Sequence, residues 1–305
     1  MKAILIEEAG DVENLVIKEI NKPQIKPNEV LVRVKAISIN PVDVKARAHE
    51  GVLQWIYNTD RPVILGWDIS GEIVEIGDDV TTFKVGDEAF GMVNFFGNGK
   101  GYAEYVAAPA THLALKPSKI THQEAAAIAM VGSTAYQALF DVAKIKKGDR
   151  VLIHAAAGGV GHIAIQMAKY AGAYVIGTSS AKNKDFVLAL GANEHIDYNE
   201  VNLTDIVKNI DIVIDTIQGD TLNQSVIVTR DGGKIVTLPT PTIPKELAII
   251  AETRNISIEF MMVESKQETI NAIASLLTNG IIKPHIWKAF NFDGNAQSSS
   301  GGGNK

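Results

Sequence analysis

Cysteine does not occur anywhere in the 305 residues, which excludes disulfide staples and thiolate metal ligands. Excess basic charge is missing too. The formal net charge of -6 provides no cationic footprint for nucleic acid and no face for an anionic membrane surface. No run of 18 apolar residues is present and the opening MKAILIEEAG holds no apolar signal segment, so neither secretion nor membrane insertion is expected. A cytoplasmic location fits. Seven histidines, at 49, 112, 122, 154, 162, 195 and 285, are dispersed without metal-ligand spacing, and internal repeats are lacking. What is there is ordinary globular composition, 46% hydrophobic and 21% charged, in a chain long enough to expect two domains.

The texture of the chain changes near residue 118. Before it, β-branched runs such as Val30 to Val34, Ile69 to Ile76 and Tyr105 to Ala107 alternate with Gly, Pro and Asp turns, the pattern of a mainly antiparallel β domain. From Gln123 to Ala143 the pattern is helical. From Arg150, six apolar runs alternate with helices: Val151 to His154, Tyr174 to Thr178, Glu194 to Asp197, Asp211 to Asp215, Lys234 to Leu238 and Ile256 to Met261. Their order predicts a doubly wound parallel sheet. An amphipathic helix from Lys266 to Asn279 precedes an expected β segment, Ile281 to Phe292, and the Ser/Gly-rich end from Gly294 reads as a flexible tail.

One motif carries chemistry directly. Ala155 to Gly161 reads AAAGGVG between the run Val151 to Ile153 and a helical pattern, so Gly158, Gly159 and Val160 stand at a strand-to-helix turn whose backbone N–H groups suit a pyrophosphate. Ala156 occupies the place of the first fingerprint glycine. After the second strand comes Thr178-Ser179-Ser180-Ala181-Lys182-Asn183-Lys184, hydroxyls and cations where an NAD site carries an acid. That suits a 2′-phosphate and points to NADP, the alternative being the solvated start of a helix.

Several further motifs stand in fixed order: Asn40-Pro41-x-Asp43, Pro62-x-Ile64-Leu65-Gly66-x-Asp68-x-Ser70-Gly71, Phe83 to Asp87, Thr134-Ala135-Tyr136, and Gly191-Ala192 leading to Ile196-Asp197-Tyr198. Together with the AAAGGVG loop they resemble the zinc-independent quinone oxidoreductases of the medium-chain dehydrogenase/reductase superfamily, over about residues 1 to 292. The resemblance implies an α/β fold with a GroES-like catalytic domain over 1–118, a Rossmann NADP-binding domain over 119–265, a return to the catalytic domain over 266–292 and a tail over 293–305. Family members run further, through a helix and a closing strand, so the return reads as truncated. It also implies NADPH held between the domains, a homodimer, and an apolar carbonyl or quinone substrate.

The resemblance further places Asn40 near the nicotinamide and substrate oxygen, and Thr134 and Leu238 on the cofactor. Ser180, Lys184 and Tyr198 then hold the 2′-phosphate. Asn40 also reads as a turn residue before Pro41, and Tyr198 as a packing residue. Zinc relatives carry Gly-His-Glu where this chain has Gly66-Trp67-Asp68, so a metal site is not expected. Tyr57 and Tyr102 are candidate proton donors or surface aromatics, Trp55 and Trp67 line a pocket or pack a core, and His154 reads as a core residue. The function expected is hydride transfer to a quinone or an activated C=C. An NADP(H)-binding sensor or interaction protein without turnover is the alternative.

Overall fold

The structure, a computed structural model, describes residues 1–292, and the tail expected over 293–305 lies outside the described residues. Two compact units emerge. The first comprises Met1–Ser133, Val263–Thr278 and the described residues from Pro284 onward, and the second Thr134–Met262 with Asn279–Lys283.

The first unit contains β1 (Lys2–Ile6), β2 (Val16–Glu19), β3 (Glu29–Ile37), α1 (Pro41–Ala48), α2 (Glu50–Tyr57), β4 (Val63–Ile64), β5 (Asp68–Ile76), β6 (Glu88–Met92), β7 (Tyr105–Pro109), β8 (Leu113–Leu115) and the start of α3 (His122–Tyr136). A five-stranded antiparallel sheet runs β7-β3-β5-β6-β8, and a smaller one runs β2-β1-β4. Apolar residues two apart, such as Val30 and Val32, point to one face and bury a core with Ile69, Ile73, Val106 and Leu113. Register shifts at Leu31/Val32 and Val34/Ala36 bend β3 along β5.

The second unit contains β9 (Arg150–Ile153), α4 (Gly159–Tyr170), β10 (Tyr174–Ser179), α5 (Lys184–Ala189), β11 (Glu194–Asp197), α6 (Leu203–Ile206), β12 (Ile210–Asp215), α7 (Thr221–Val228), β13 (Thr229–Thr237), α8 (Lys245–Thr253) and β14 (Ser257–Phe260). Every pairing is parallel and the order is β11-β10-β9-β12-β13-β14, the doubly wound Rossmann order. Val151, Leu152 and Ile153 are all fully buried, as a strand covered on both faces requires. The order reverses between β9 and β12, which makes a topological switch point beside the glycine-rich turn.

Helix α9 (Gln267–Thr278) packs on β8 in the first unit. The stretch His122–Val142 is long and apolar enough by composition to cross a membrane, but 67% of its most apolar 18-residue window is buried in protein, as in a core helix. One expectation is corrected: Ile281 to Phe292 forms no strand among the described residues. Pro284 has no N–H for a ladder, and the Lys283 backbone instead pairs with the Gln166 side chain, at 2.9 and 3.1 Å.

Candidate active site

On the second unit the turn after β9 is shaped by close packing. Ala155 takes the left-handed conformation (φ 45°), and the Gly158 N–H donates to its carbonyl at 2.8 Å. Gly158 is the extended N-cap of α4. The helix therefore begins at Gly159 and Val160, whose N–H groups belong to the first turn and have no intrahelical acceptor. A Cβ at Gly161 would lie 2.3 Å from the Ala155 carbonyl oxygen, so only glycine fits. Ala156 stands in place of the first fingerprint glycine because Gly177 on β10 makes room: a Cβ there would meet the Ala156 methyl at 2.8 Å. The turn thus keeps the close approach that a pyrophosphate needs.

The adjoining strand ends bring three of the expected residues together. Ser179 is in register with Asp197, so Ser180 and Tyr198 follow directly at the carboxyl ends of neighbouring strands, with Lys184 opening α5. Ser180 is half-buried and accepts from Asn183 Nδ2 at 3.3 Å, while Lys184 and Tyr198 are exposed. Sequence reading passed over Asp197 in this role: its carboxylate accepts from the Ala181 N–H at 2.8 Å and from Asn199 at 2.9 Å, which hold its pKa down. His195 also bonds Ser179 Oγ at 2.8 Å. Leu238 follows β13 and donates its N–H to Asp215 at 2.9 Å, and Thr134 is a buried residue of α3. His154 is a core residue between Thr178 and Ser225 at 3.2 and 3.1 Å, and burial brings its pKa down to about 4.

On the first unit Asn40 is the N-cap of α1, where Pro41 at the first helical position has no N–H to lose. Asp43 three residues on closes the cap, accepting from the Asn40 N–H at 2.7 Å. The Asn40 side chain reaches across to β5, where its Nδ2 donates to Asp68 Oδ2 at 2.8 Å. Both carboxyls are enclosed, at 2% and 0% exposure. Burial raises Asp43 to about 7, partly offset by the donors from Asn40, and raises Asp68 well above the carboxylate range.

Tyr57 and Tyr102 are 3% and 2% exposed and belong to this buried cluster. Burial pushes both phenols up, and each faces Asp43. Among the described residues neither hydroxyl has a well-aligned hydrogen-bond partner, and Asp43 Oδ1 and Asp68 Oδ1 share that condition. Gly66 (φ 90°) lets Tyr102 in, since a Cβ there would meet its ring at 2.4 Å. Trp67 is fully buried with Nε1 donating to the Gly97 carbonyl at 2.7 Å, whereas Trp55 is 60% exposed with its ring centroid 4.3 Å from that of Phe96. The capping-box spacing of Asn40 and Asp43 was a signal for the cap. Nothing local marked Asp68 as its partner.

The zinc donor set does not fit this chain. Trp67 fills the histidine position with a ring that packs against Phe95 (5.1 Å) and Tyr57 (6.1 Å), there is no thiolate, and no group of three metal-ligating carboxylate or imidazole residues forms among the described residues.

Two family models match, the alcohol dehydrogenase GroES-like domain over residues 26–118 and the zinc-binding dehydrogenase family over 159–279. A mitochondrial NAD(P)H oxidoreductase of Danio rerio is 36% identical over 234 residues, 70% of this chain, and the chain spans only 60% of that relative's length. The human quinone oxidoreductase is 32% identical over 94% of this chain and 89% of its own. A chloroplastic NADPH-dependent alkenal/one oxidoreductase of Arabidopsis thaliana is 31% identical over 94% of this chain and 72% of its own. Among solved structures, the quinone oxidoreductase of Coxiella burnetii superposes with TM-score 0.90 at 34% identity, over 98% of this chain and 94% of that one. An Escherichia coli quinone oxidoreductase complexed with NADPH gives 0.85 at 26%, over 98% and 95%. With both family domains present in sequence order and a relative aligned along nearly its full length, the chain belongs to the quinone oxidoreductases of the medium-chain dehydrogenase/reductase superfamily.

Proposed function

We propose that this chain is an NADPH-dependent, zinc-independent reductase that passes hydride to a quinone or to the activated C=C of an enone or enal. The observation that carries the reading is that Ser180 and Tyr198 follow the adjoining ends of β10 and β11, with Lys184 at the start of α5 four residues after Ser180. Hydroxyls and a cation there favour a 2′-phosphate through charge-assisted hydrogen bonds. Gly158, Gly159 and Val160 take the pyrophosphate on the α4 N-terminus, and Thr134 and Leu238 complete the cofactor contacts. The names of the human and Arabidopsis relatives and the NADPH complex of the Escherichia coli protein support cofactor and substrate class.

The bound nicotinamide supplies the hydride. The protein's part is to orient the acceptor and meet charge that develops on its oxygen. Asn40 commits one N–H to Asp68 and keeps its second for the substrate oxygen, the kind of fixed donor that stabilises an oxyanion. Tyr57 holds the proton that the reduced product takes up. Among the described residues strand β14 pairs only with β13, so the proposed homodimer would cover that edge with a second copy, and a monomer by light scattering would exclude it.

The test is NADPH oxidation with a panel of quinones and enones, alongside NADPH and NADH affinities. Turnover with preferred NADPH binding is the expected result. Binding without oxidation of any acceptor would favour the sensor reading.

A further inference from the structure

We propose that Asp68 is kept as the neutral acid and orients Asn40 through a closed hydrogen-bonded ring: Asp68 Oδ1–H donates to the Tyr102 hydroxyl, Tyr102 donates to Asp43 Oδ1, and Asn40 closes the ring. Asn40 does so twice, through its amide to Asp68 Oδ2 at 2.8 Å and through its backbone N–H to Asp43 Oδ2 at 2.7 Å. The inference rests on the place of Asn40 in the proposed function.

Three enclosed oxygens lack a well-aligned partner among the described residues. Asp68 Oδ1, the Tyr102 hydroxyl and Asp43 Oδ1 are all buried and none makes a well-aligned hydrogen bond, a costly state for polar atoms away from water. Tyr102 faces both carboxyls, and Asp43 and Asp68 face one another. Two ionised carboxylates have no proton to share, so Tyr102 could donate to only one of them. One proton on the pair changes the count: each of the three oxygens then gains a partner by a small rotation.

The proton belongs on Asp68 because Asp43 takes donors from the Asn40 backbone and side chain, from Tyr102 and from its own backbone N–H, which favour its charged form, whereas Asp68 takes three donors, is fully enclosed and lies beside the Asp43 charge. Around Asp68 stand the Asn40 amide, the Ser38 hydroxyl, the Met130 backbone N–H and the Asp43 carboxyl. Around Asp43 stand Asn40, Tyr102 and Tyr57. Neither carboxyl forms an ion pair among the described residues. Burial raises Asp68 well above the usual range, in keeping with a neutral acid.

The consequence for Asn40 is directional. With its Oδ1–H committed to Tyr102, Asp68 presents only the acceptor Oδ2 to Asn40, which selects the amide nitrogen and prevents the flip that would turn the Asn40 oxygen inward. Asp68 is thus a positioning residue that acts through Asn40.

The experiment compares Asp68→Asn, Asp68→Leu and Tyr102→Phe in the full chain. Asparagine reproduces the acceptor and donor of a neutral acid, so near pH 4, where the unfolded carboxyl is largely protonated too, Asp68→Asn should melt within about 1 °C of the parent, while Asp68→Leu and Tyr102→Phe lose about 4 °C or more; at neutral pH Asp68→Asn should melt above the parent. Infrared difference spectra in mildly alkaline buffer should show a protonated-carboxyl band in the parent that Asp68→Asn removes. With turnover in hand, Asp68→Leu should lower kcat on the order of tenfold to a hundredfold at unchanged NADPH affinity, and Asp68→Asn should restore it. An Asp68→Asn variant as unstable as Asp68→Leu overturns the proposal, and so does a parent spectrum lacking the band, which is readable even if the leucine variant does not fold. If no quinone or enone is turned over, the reductase reading falls while melting and spectra still decide the ring.

Discussion

The two units handle charge by opposite means. In the first, two carboxyls and two phenols are sealed under α1 with less than 5% exposure, whereas in the second Lys184 and Tyr198 stand open at the strand ends with Tyr198 at 59% exposure. An exposed rim suits a ligand that arrives, is held by cations and backbone N–H groups, and leaves. The sealed carboxyls instead fix one side chain, Asn40, in place. The contrast separates binding from positioning, and the two should respond differently to pH, mutation and ligand.

The largest expected effect tests the sealed side. Asp43 sits at about 7 against an ordinary 3.8, so below that pH the folded protein keeps a proton on Asp43, besides the one on Asp68, that the unfolded chain releases. Its stabilising contribution is full below the unfolded value and is lost as pH rises through about 7, on the order of 4 kcal/mol in all. Denaturant unfolding at intervals across that window should show Asp43→Asn with a flatter profile than the parent. Equal slopes would mean that Asp43 is not sealed as described.

Next comes Asn40→Ala, which should lower turnover on the order of a hundredfold through loss of a donor worth about 2.7 to 4 kcal/mol. The same change strands Asp68 Oδ2 without its donor, so stability should fall by about 1 to 3 kcal/mol as well. Turnover is therefore to be counted per NADPH-binding molecule. A normal rate on that basis would leave Asn40 as a helix cap alone.

A smaller effect sharpens the exposed side. Lys184→Ala should weaken NADPH by about tenfold to a hundredfold, the loss of one charge-assisted contact at about 1.5 to 3 kcal/mol, and leave NADH nearly unchanged. Equal losses for both cofactors would remove Lys184 from the 2′-phosphate. The smallest effect expected is none: dialysis against a strong chelator should leave turnover as it was, and stoichiometric zinc by elemental analysis would contradict the donor set.

Much of the exposed side is legible in the amino-acid sequence. The turn from Ala155 to Gly161 and the residues proposed for the 2′-phosphate, Ser180, Lys184 and Tyr198, stand out because phosphate recognition in this fold uses backbone and chain positions at and just after strand ends, and these follow from a period of apolar runs. The sealed side is legible only in part. Asn40 and Asp43 carry a cap spacing, but the partner that commits the Asn40 amide is Asp68 on another element, and Tyr102 reaches the cluster from a loop through the space that Gly66 leaves. The β segment expected over Ile281 to Phe292 fails for a related reason: a strand needs a neighbour, and Pro284 and Gln166 settle that region otherwise.

By itself, then, the sequence determined the alternation of elements, the Rossmann sheet and its phosphate turn, and the lack of thiolate ligands, all properties of local pattern and residue type. Only the tertiary structure decided which carboxyls lie sealed, which N–H of Asn40 is already spent, and that Trp67 packs a core while Trp55 stays open. Burial and pairing are set by residues far apart in the chain, and the cost of enclosing charge is not written in any one segment.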